Sequence, residues 1–153
     1  MSKDIYFIID GPVIPKGRPK FHRITKRNKA TKKLQNLVVT YTPQRTLDYE
    51  QTVKDAYLKE YPAGIAFEHE PLAMTLNIYM AVPKSVSKKK RDHMICFEFP
   101  TKHNGDLDNL LKSVADALNG VAYTDDCQIV HVTVNKFWSE EARAEVLIKE
   151  CKK

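Results

Sequence analysis

Residues 72–82 alternate apolar with small or polar side chains without interruption. Leu72, Met74, Leu76, Ile78 and Met80 share one face, and Ala73, Thr75, Asn77 and Tyr79 share the other. Successive side chains of extended backbone point to opposite faces, so this period of two reads as a strand covered on one side. Such a strand needs a sheet with something packed against one face only, which narrows the fold to a few layered architectures. Pro83 stops the run. Ile5-Tyr6-Phe7-Ile8-Ile9, halted by Asp10-Gly11-Pro12, reads as a second strand, and residues 37–41 are strand-like. Residues 128–138 and 142–149 read as two more. The link Ser139-Glu140-Glu141 predicts that these last two form a hairpin, although it lacks the glycine of the tightest turns.

Between the strands the period changes. Thr46 is placed to cap a helix that runs to about Tyr61, with Leu47, Glu50, Val53, Tyr57 and Leu58 near helical spacing and Tyr61-Pro62 as its stop. Residues 85–93 suggest a short basic helix, and residues 97–105 a loop. Residues 109–119 carry the clearest helical pattern. Leu111, Val114, Ala115 and Leu118 form its apolar stripe, Asp106 or Asp108 stands at its N-cap, and Asn119-Gly120 ends it. Strands at both ends with helices between them predict an α+β fold, a mixed sheet with helices packed on it. Length favours a single domain over residues 1–153, with a basic loop and arm at about residues 11–36. No apolar run approaches the ~20 residues of a membrane span, and Asp4 interrupts any leader-like start. The expectation is a cytoplasmic protein with no membrane partner. Cys96, Cys127 and Cys151 are odd in number and lack C-x-x-C spacing, so free thiols are expected, with Cys127 used for packing.

Charge is distributed unevenly. The formal net charge is +6, and residues 1–45 hold eleven Lys or Arg against two Asp. A second basic cluster comprises Lys84 and Lys88-Lys89-Lys90-Arg91, whereas Asp106, Asp108, Asp116, Asp125 and Asp126 fall within 21 residues. A polyanion accounts for the first feature through counterion release. A divalent cation accounts for the second, because clustered carboxylates repel unless positive charge lies between them. Lys16, Arg18 and Lys20 should project from the Pro/Gly loop GPVIPKGRPK, and Arg23, Lys26 and Arg27 from the arm beyond it, as DNA contacts. Phe21, Tyr41 and Tyr49 are interleaved with these cations and are candidates for stacking on exposed bases. His103 lies near the acidic stretch and reads as a loop residue.

The stretch Asp106-Leu107-Asp108-Asn109-Leu110-Leu111-Lys112 carries the chemistry, followed by Asp125-Asp126 before the next strand. Two carboxylates two residues apart on an extended lead-in share a face, and the start of a helix favours anions. Lys112, one turn after Asp108, shares its helical face. Three or four carboxylates with one ammonium suit Mg2+, which takes hard oxygen donors and activates water for phosphodiester hydrolysis. An EF-hand loop is excluded, because Leu110 and Leu111 stand where a ligand and a glycine are required. Two other readings remain: a DNA-binding protein whose acidic cluster is structural, and a metal nuclease for flaps or general duplex.

D-L-D-N-L-x-K at Asp106 to Lys112, D-A-L-N at Asp116 to Asn119 and D-D-x-Q at Asp125 to Gln128 together resemble the RusA-type Holliday junction resolvases. The N-terminal run GPVIPKGRPKF adds looser support. The resemblance implies a homodimer, Mg2+ or Mn2+ dependence, and paired nicks in four-way DNA junctions. It puts the essential carboxylates on Asp106, Asp108 and Asp126 and the functional lysine on Lys112, with Asp125 as an optional further metal ligand. It also implies phage or prophage origin. The basic region 16–33 is longer than in compact members of that family.

Overall fold

The computed structural model describes residues 4–101 and 105–152. His103 lies outside them. The described residues form six strands and three α-helices: β1 (Asp4–Asp10), β2 (Lys20–Arg27), β3 (Leu34–Tyr41), α1 (Gln44–Glu60), β4 (Leu72–Ala81), α2 (Lys88–Phe97), α3 (Leu107–Leu118), β5 (Ile129–Ser139) and β6 (Arg143–Glu150). The architecture is α+β, as the pattern predicted. Four strands make one mixed sheet in the order β1-β6-β4-β5, and β2 and β3 form a separate two-stranded ribbon.

The alternation in β4 sets the register of the whole sheet. Leu72, Met74, Leu76, Ile78 and Met80 are all buried. Antiparallel pairing places Met74 opposite Ile148, Leu76 opposite Val146 and Ile78 opposite Ala144. The next row continues into β1, with Ile5 opposite Ile148, Phe7 opposite Val146 and Ile9 opposite Ala144. These apolar rows are covered by α1 and α3. Thr46, Tyr49, Val53 and Tyr57 are the buried face of α1, and Leu110, Val114, Ala117 and Leu118 are fully buried in α3. The opposite side of the sheet is polar or half-exposed, with Tyr6 and Ile8 open to solvent and Asn135 donating to Asn77 Oδ1 at 2.9 Å.

Several expectations are corrected. β5 and β6 do not form a hairpin: β4 lies between them, parallel to β5 and antiparallel to β6. The Ser139–Arg143 link passes over the end of β4, where Val82 N–H donates to Ser139 O at 3.0 Å. Its lack of a turn glycine fits a span of two strand spacings, roughly 10 Å, rather than a tight reversal. α1 starts two residues before Thr46, with Pro43 at its N-cap. Thr46 is buried and accepts from Gly17 N–H at 3.2 Å instead of capping. The buried stripe is shifted accordingly, and Leu47 and Leu58 face solvent. All three cysteines are free, but Cys127 is exposed rather than packed. No helix among the described residues is long and apolar enough to cross a membrane.

Candidate active site and nucleic-acid interface

α3 begins at Leu107, so only Asp106 lies on extended backbone, and Asp108 already belongs to the first helical turn. The expected pair on a shared extended face is therefore an N-cap residue plus a first-turn residue. The Asp106 carbonyl accepts from Leu110 N–H at 3.1 Å and closes the first helical bond. Its carboxylate makes no capping bond. It stands at a helix end that favours negative charge. Asp108 and Lys112 are exposed. Lys112 enters none of the ion pairs formed by the described residues. Asp108, Lys112 and Asp116 follow one another at four-residue intervals, one strip of a helix.

The second acidic pair divides its labour. Asp125 caps a short 3-10 turn, Asp126–Gln128, and its Oδ1 accepts from Cys127 N–H at 2.9 Å. Gln128 Oε1 accepts from Asp125 N–H at 3.0 Å, and Gln128 Nε2 donates to Glu70 O at 3.1 Å, which ties the turn to the approach to β4. The Cys127 bonds hold the Asp125 carboxyl below its ordinary range. Asp126 moves the other way: desolvation first, then Asp125 and Asp116, raise its carboxyl. Tyr123, fully buried, anchors this corner to α3 by donating to Ala115 O at 2.7 Å.

Among the described residues, no group of three or more His, Cys, Asp or Glu is arranged to hold a metal ion. The acids that perturb Asp126 are Asp125 and Asp116; Asp106 and Asp108 are not among them. The donor chemistry nevertheless fits Mg2+, which ordinarily takes one or two carboxylates and completes its octahedron with water and substrate phosphate. Asp106 with Asp108, and Asp126 on its own turn, are hard oxygen donors of that kind.

The basic region is a built element. β2 and β3 pair in register from Lys20 opposite Tyr41 to Arg27 opposite Leu34. Residues 20–41 contain seven Lys or Arg and no Asp or Glu. Nearly every residue of the ribbon is exposed. Lys20 and Lys26 project from one face, together with His22, Ile24, Leu37, Val39 and Tyr41. Arg23 and Arg27 project from the other, together with Phe21 and Val38. β2 escapes sequence reading because its cations interrupt the apolar alternation. Of the three stacking candidates, Phe21 and Tyr41 are exposed on the ribbon, whereas Tyr49 is core.

Arg18 and Lys20 are exposed as expected. Lys16 is not a free cation: its Nζ bonds Glu50 of α1 and lies 2.9 Å from Asp116 Oδ2 of α3. Burial alone lowers its pKa, but the two carboxylates outweigh that, and the net shift is upward. Sequence reasoning places Glu50 in a helix and Asp116 in the acidic cluster but misses that both pair with Lys16. Their partner lies in a distant loop, so no local spacing signals them.

An α+β domain with exposed carboxylates at the start of a helix and a strongly basic ribbon on the same chain suits a protein that works on nucleic acid. The family described as endodeoxyribonuclease RusA matches residues 10–149, and the chain belongs to that family. The chain is 41% identical over 106 residues to the uncharacterized protein YqaN of Bacillus subtilis (strain 168), covering 63% of this chain and 75% of YqaN. It is 28% identical over 127 residues to the crossover junction endodeoxyribonuclease rusA of Lactococcus phage r1t, covering 82% of this chain and 88% of the phage protein.

Proposed function

We propose that the protein is a Mg2+-dependent resolvase of four-way DNA junctions that acts as a homodimer in recombination and repair. The observation that carries this is the family match across residues 10–149, which includes the acidic start of α3 and the Asp125-Asp126 turn. The Lactococcus phage relative, named as a crossover junction endodeoxyribonuclease, supports the choice of substrate.

Asp106, Asp108 and Asp126 would hold the metal, with Asp125 first of all the cap of its turn and an optional further ligand. Bound Mg2+, or Mn2+ in its place, supplies Lewis acidity toward the scissile phosphate and lowers the pKa of water. The chain's own groups do the remaining work. Lys112, exposed one turn along α3, offsets negative charge on the phosphate or orients the attacking water. Hydrolysis then leaves a 5′-phosphate and a 3′-hydroxyl. Arg18, Lys20, Arg23, Lys26 and Arg27 meet backbone phosphates and set affinity rather than base choice. A C2 dimer offers two matched sites to a substrate of approximate two-fold symmetry.

The test is incubation with a synthetic four-way junction, a flap and a linear duplex, each in Mg2+ and in EDTA. Paired symmetric nicks in the junction that depend on Mg2+ are expected. Equal cutting of flap or duplex would make the protein a general metal nuclease, and binding without cutting under any divalent metal would make it a DNA-binding protein.

A further inference from the structure

Residues 15–17 run across two helices on their way from β1 to the ribbon. Each residue has its own anchor. Pro15 packs so closely on Gly105 that a Cβ at position 105 would stand 2.9 Å from the proline's own Cβ, and Gly105 itself has a φ of +93°. Lys16 N–H donates to Asn109 O at 3.0 Å. Gly17 N–H donates to Thr46 Oγ1 at 3.2 Å, and a Cβ on Gly17 would meet that oxygen at 2.8 Å. The Lys16 ammonium then joins Glu50 on α1 to Asp116 on α3. The strap thus touches the α3 region at positions 105, 109 and 116. Those points bracket Asp106, Asp108 and Lys112 along the helix. Three residues beyond Gly17 the chain enters β2.

We propose that Lys16 is a positioning residue for cleavage and not a DNA contact: its ammonium locks the strap across α1 and α3, and so sets where the base of the ribbon stands relative to the acidic start of α3. The proposal rests on the nuclease reading for its link to cleavage, but the lock itself does not. Two carboxylates from different helices converge on one side chain, with side-chain exposures of 24% for Lys16, 16% for Glu50 and 25% for Asp116. An ammonium held this way has little left to offer a phosphate. Without it, Glu50 and Asp116 face each other as like charges at a half-buried helix contact, which is unfavourable. Lysine suits the place because its flexible stem carries a compact charge with three donors.

The test compares wild type with Lys16→Met, Lys16→Arg and Glu50→Gln in the full chain, on a synthetic four-way junction. Binding is measured in EDTA across a salt series, and cleavage by single turnover in Mg2+ at saturating enzyme. Amide hydrogen exchange of residues 15–27 is followed without DNA. Lys16→Met should cut at least about tenfold more slowly while the log K against log salt slope stays at the wild-type value. Its exchange over residues 15–27 should rise. Lys16→Arg, which keeps the charge and reaches both carboxylates, should recover most of the rate. Glu50→Gln, which leaves the Asp116 pair, should show a smaller change of the same kind and keeps the test alive if Lys16→Met does not fold. A slope reduced by about 0.9 with an intact saturating rate would identify Lys16 as a phosphate contact and overturn the proposal. Unchanged exchange would also overturn it. If wild type cuts no junction in any metal, the nuclease reading fails, while the exchange comparison still decides whether the lock exists.

Discussion

Neutralising the ribbon strands tests where DNA meets the protein. Lys20, Arg23, Lys26 and Arg27 are exposed, and residues 20–41 contain no acid to compensate them. Each neutralised phosphate contributes roughly 0.9 to the log–log salt slope, so converting all four to Gln should flatten the slope by about 3.6. Between about 50 and about 200 mM salt that equals roughly two decades of affinity, lost by wild type and kept by the variant. The register divides the four into two pairs, with Lys20 and Lys26 on one face and Arg23 and Arg27 on the other. Both faces carry exposed apolar side chains, but the middle of the lysine face is Ile24 opposite Leu37, whereas the middle of the arginine face is Thr25 bonded to Asn36 at 2.9 Å. The arginine pair should therefore account for the larger part of the slope change. The assay is junction binding by fluorescence anisotropy in EDTA across a salt series. A larger effect from the lysine pair would reverse the assignment of faces, and a wild-type slope in the fourfold variant would remove the ribbon from the interface altogether.

Asp108→Asn should bind junctions at near wild-type affinity and lose about two orders of magnitude or more in single-turnover cleavage; wild-type cutting by the purified variant would refute its role. Lys112→Ala should slow cleavage with little change in binding, and an unchanged single-turnover rate would count against it. In metal-free protein the Asp126 carboxyl should titrate above its ordinary value, because partial desolvation, Asp125 and Asp116 all favour its neutral form. Mg2+ favours the charged form and should move the titration down, so an NMR pH titration unaffected by Mg2+ would exclude Asp126 as a ligand. Two tyrosines give opposite outcomes on loss of the hydroxyl. Tyr123→Phe removes one buried hydrogen bond to the Ala115 carbonyl, which keeps its bond from Asn119 N–H, and should cost about 0.5–1.5 kcal/mol by denaturant unfolding. Tyr49 has a buried hydroxyl with no hydrogen-bond partner among the described residues, so Tyr49→Phe should leave stability unchanged or raise it. Equal losses in both would refute this hydrogen-bond assignment.

Where one interaction dominates, the sequence is legible. β4 shows its covered face because burial imposes a strict period of two, and α3 shows its stripe because its packed face is contiguous. What escapes depends on distant partners. The insertion of β6 between β1 and β4 is decided by pairing across the whole chain, so two strands joined by a short link look like a hairpin although they never pair. Lys16 looks like any loop cation until Glu50 and Asp116 are brought to it. Thr46 is a good cap by residue type, yet Gly17 claims its hydroxyl.

The central place of β6 also bears on how the molecule is made. Among the described residues β1 pairs with β6 alone, so the part of the core that β1 supplies closes only when residues 143–150 arrive. Assembly of the sheet is thus a late, long-range event, slow to search for and sensitive to loss of the final segment. A ribosome-bound chain lacking those residues would carry its acids and its basic ribbon without a rigid frame to align them, so any DNA-cutting capacity should appear only once synthesis has passed that point.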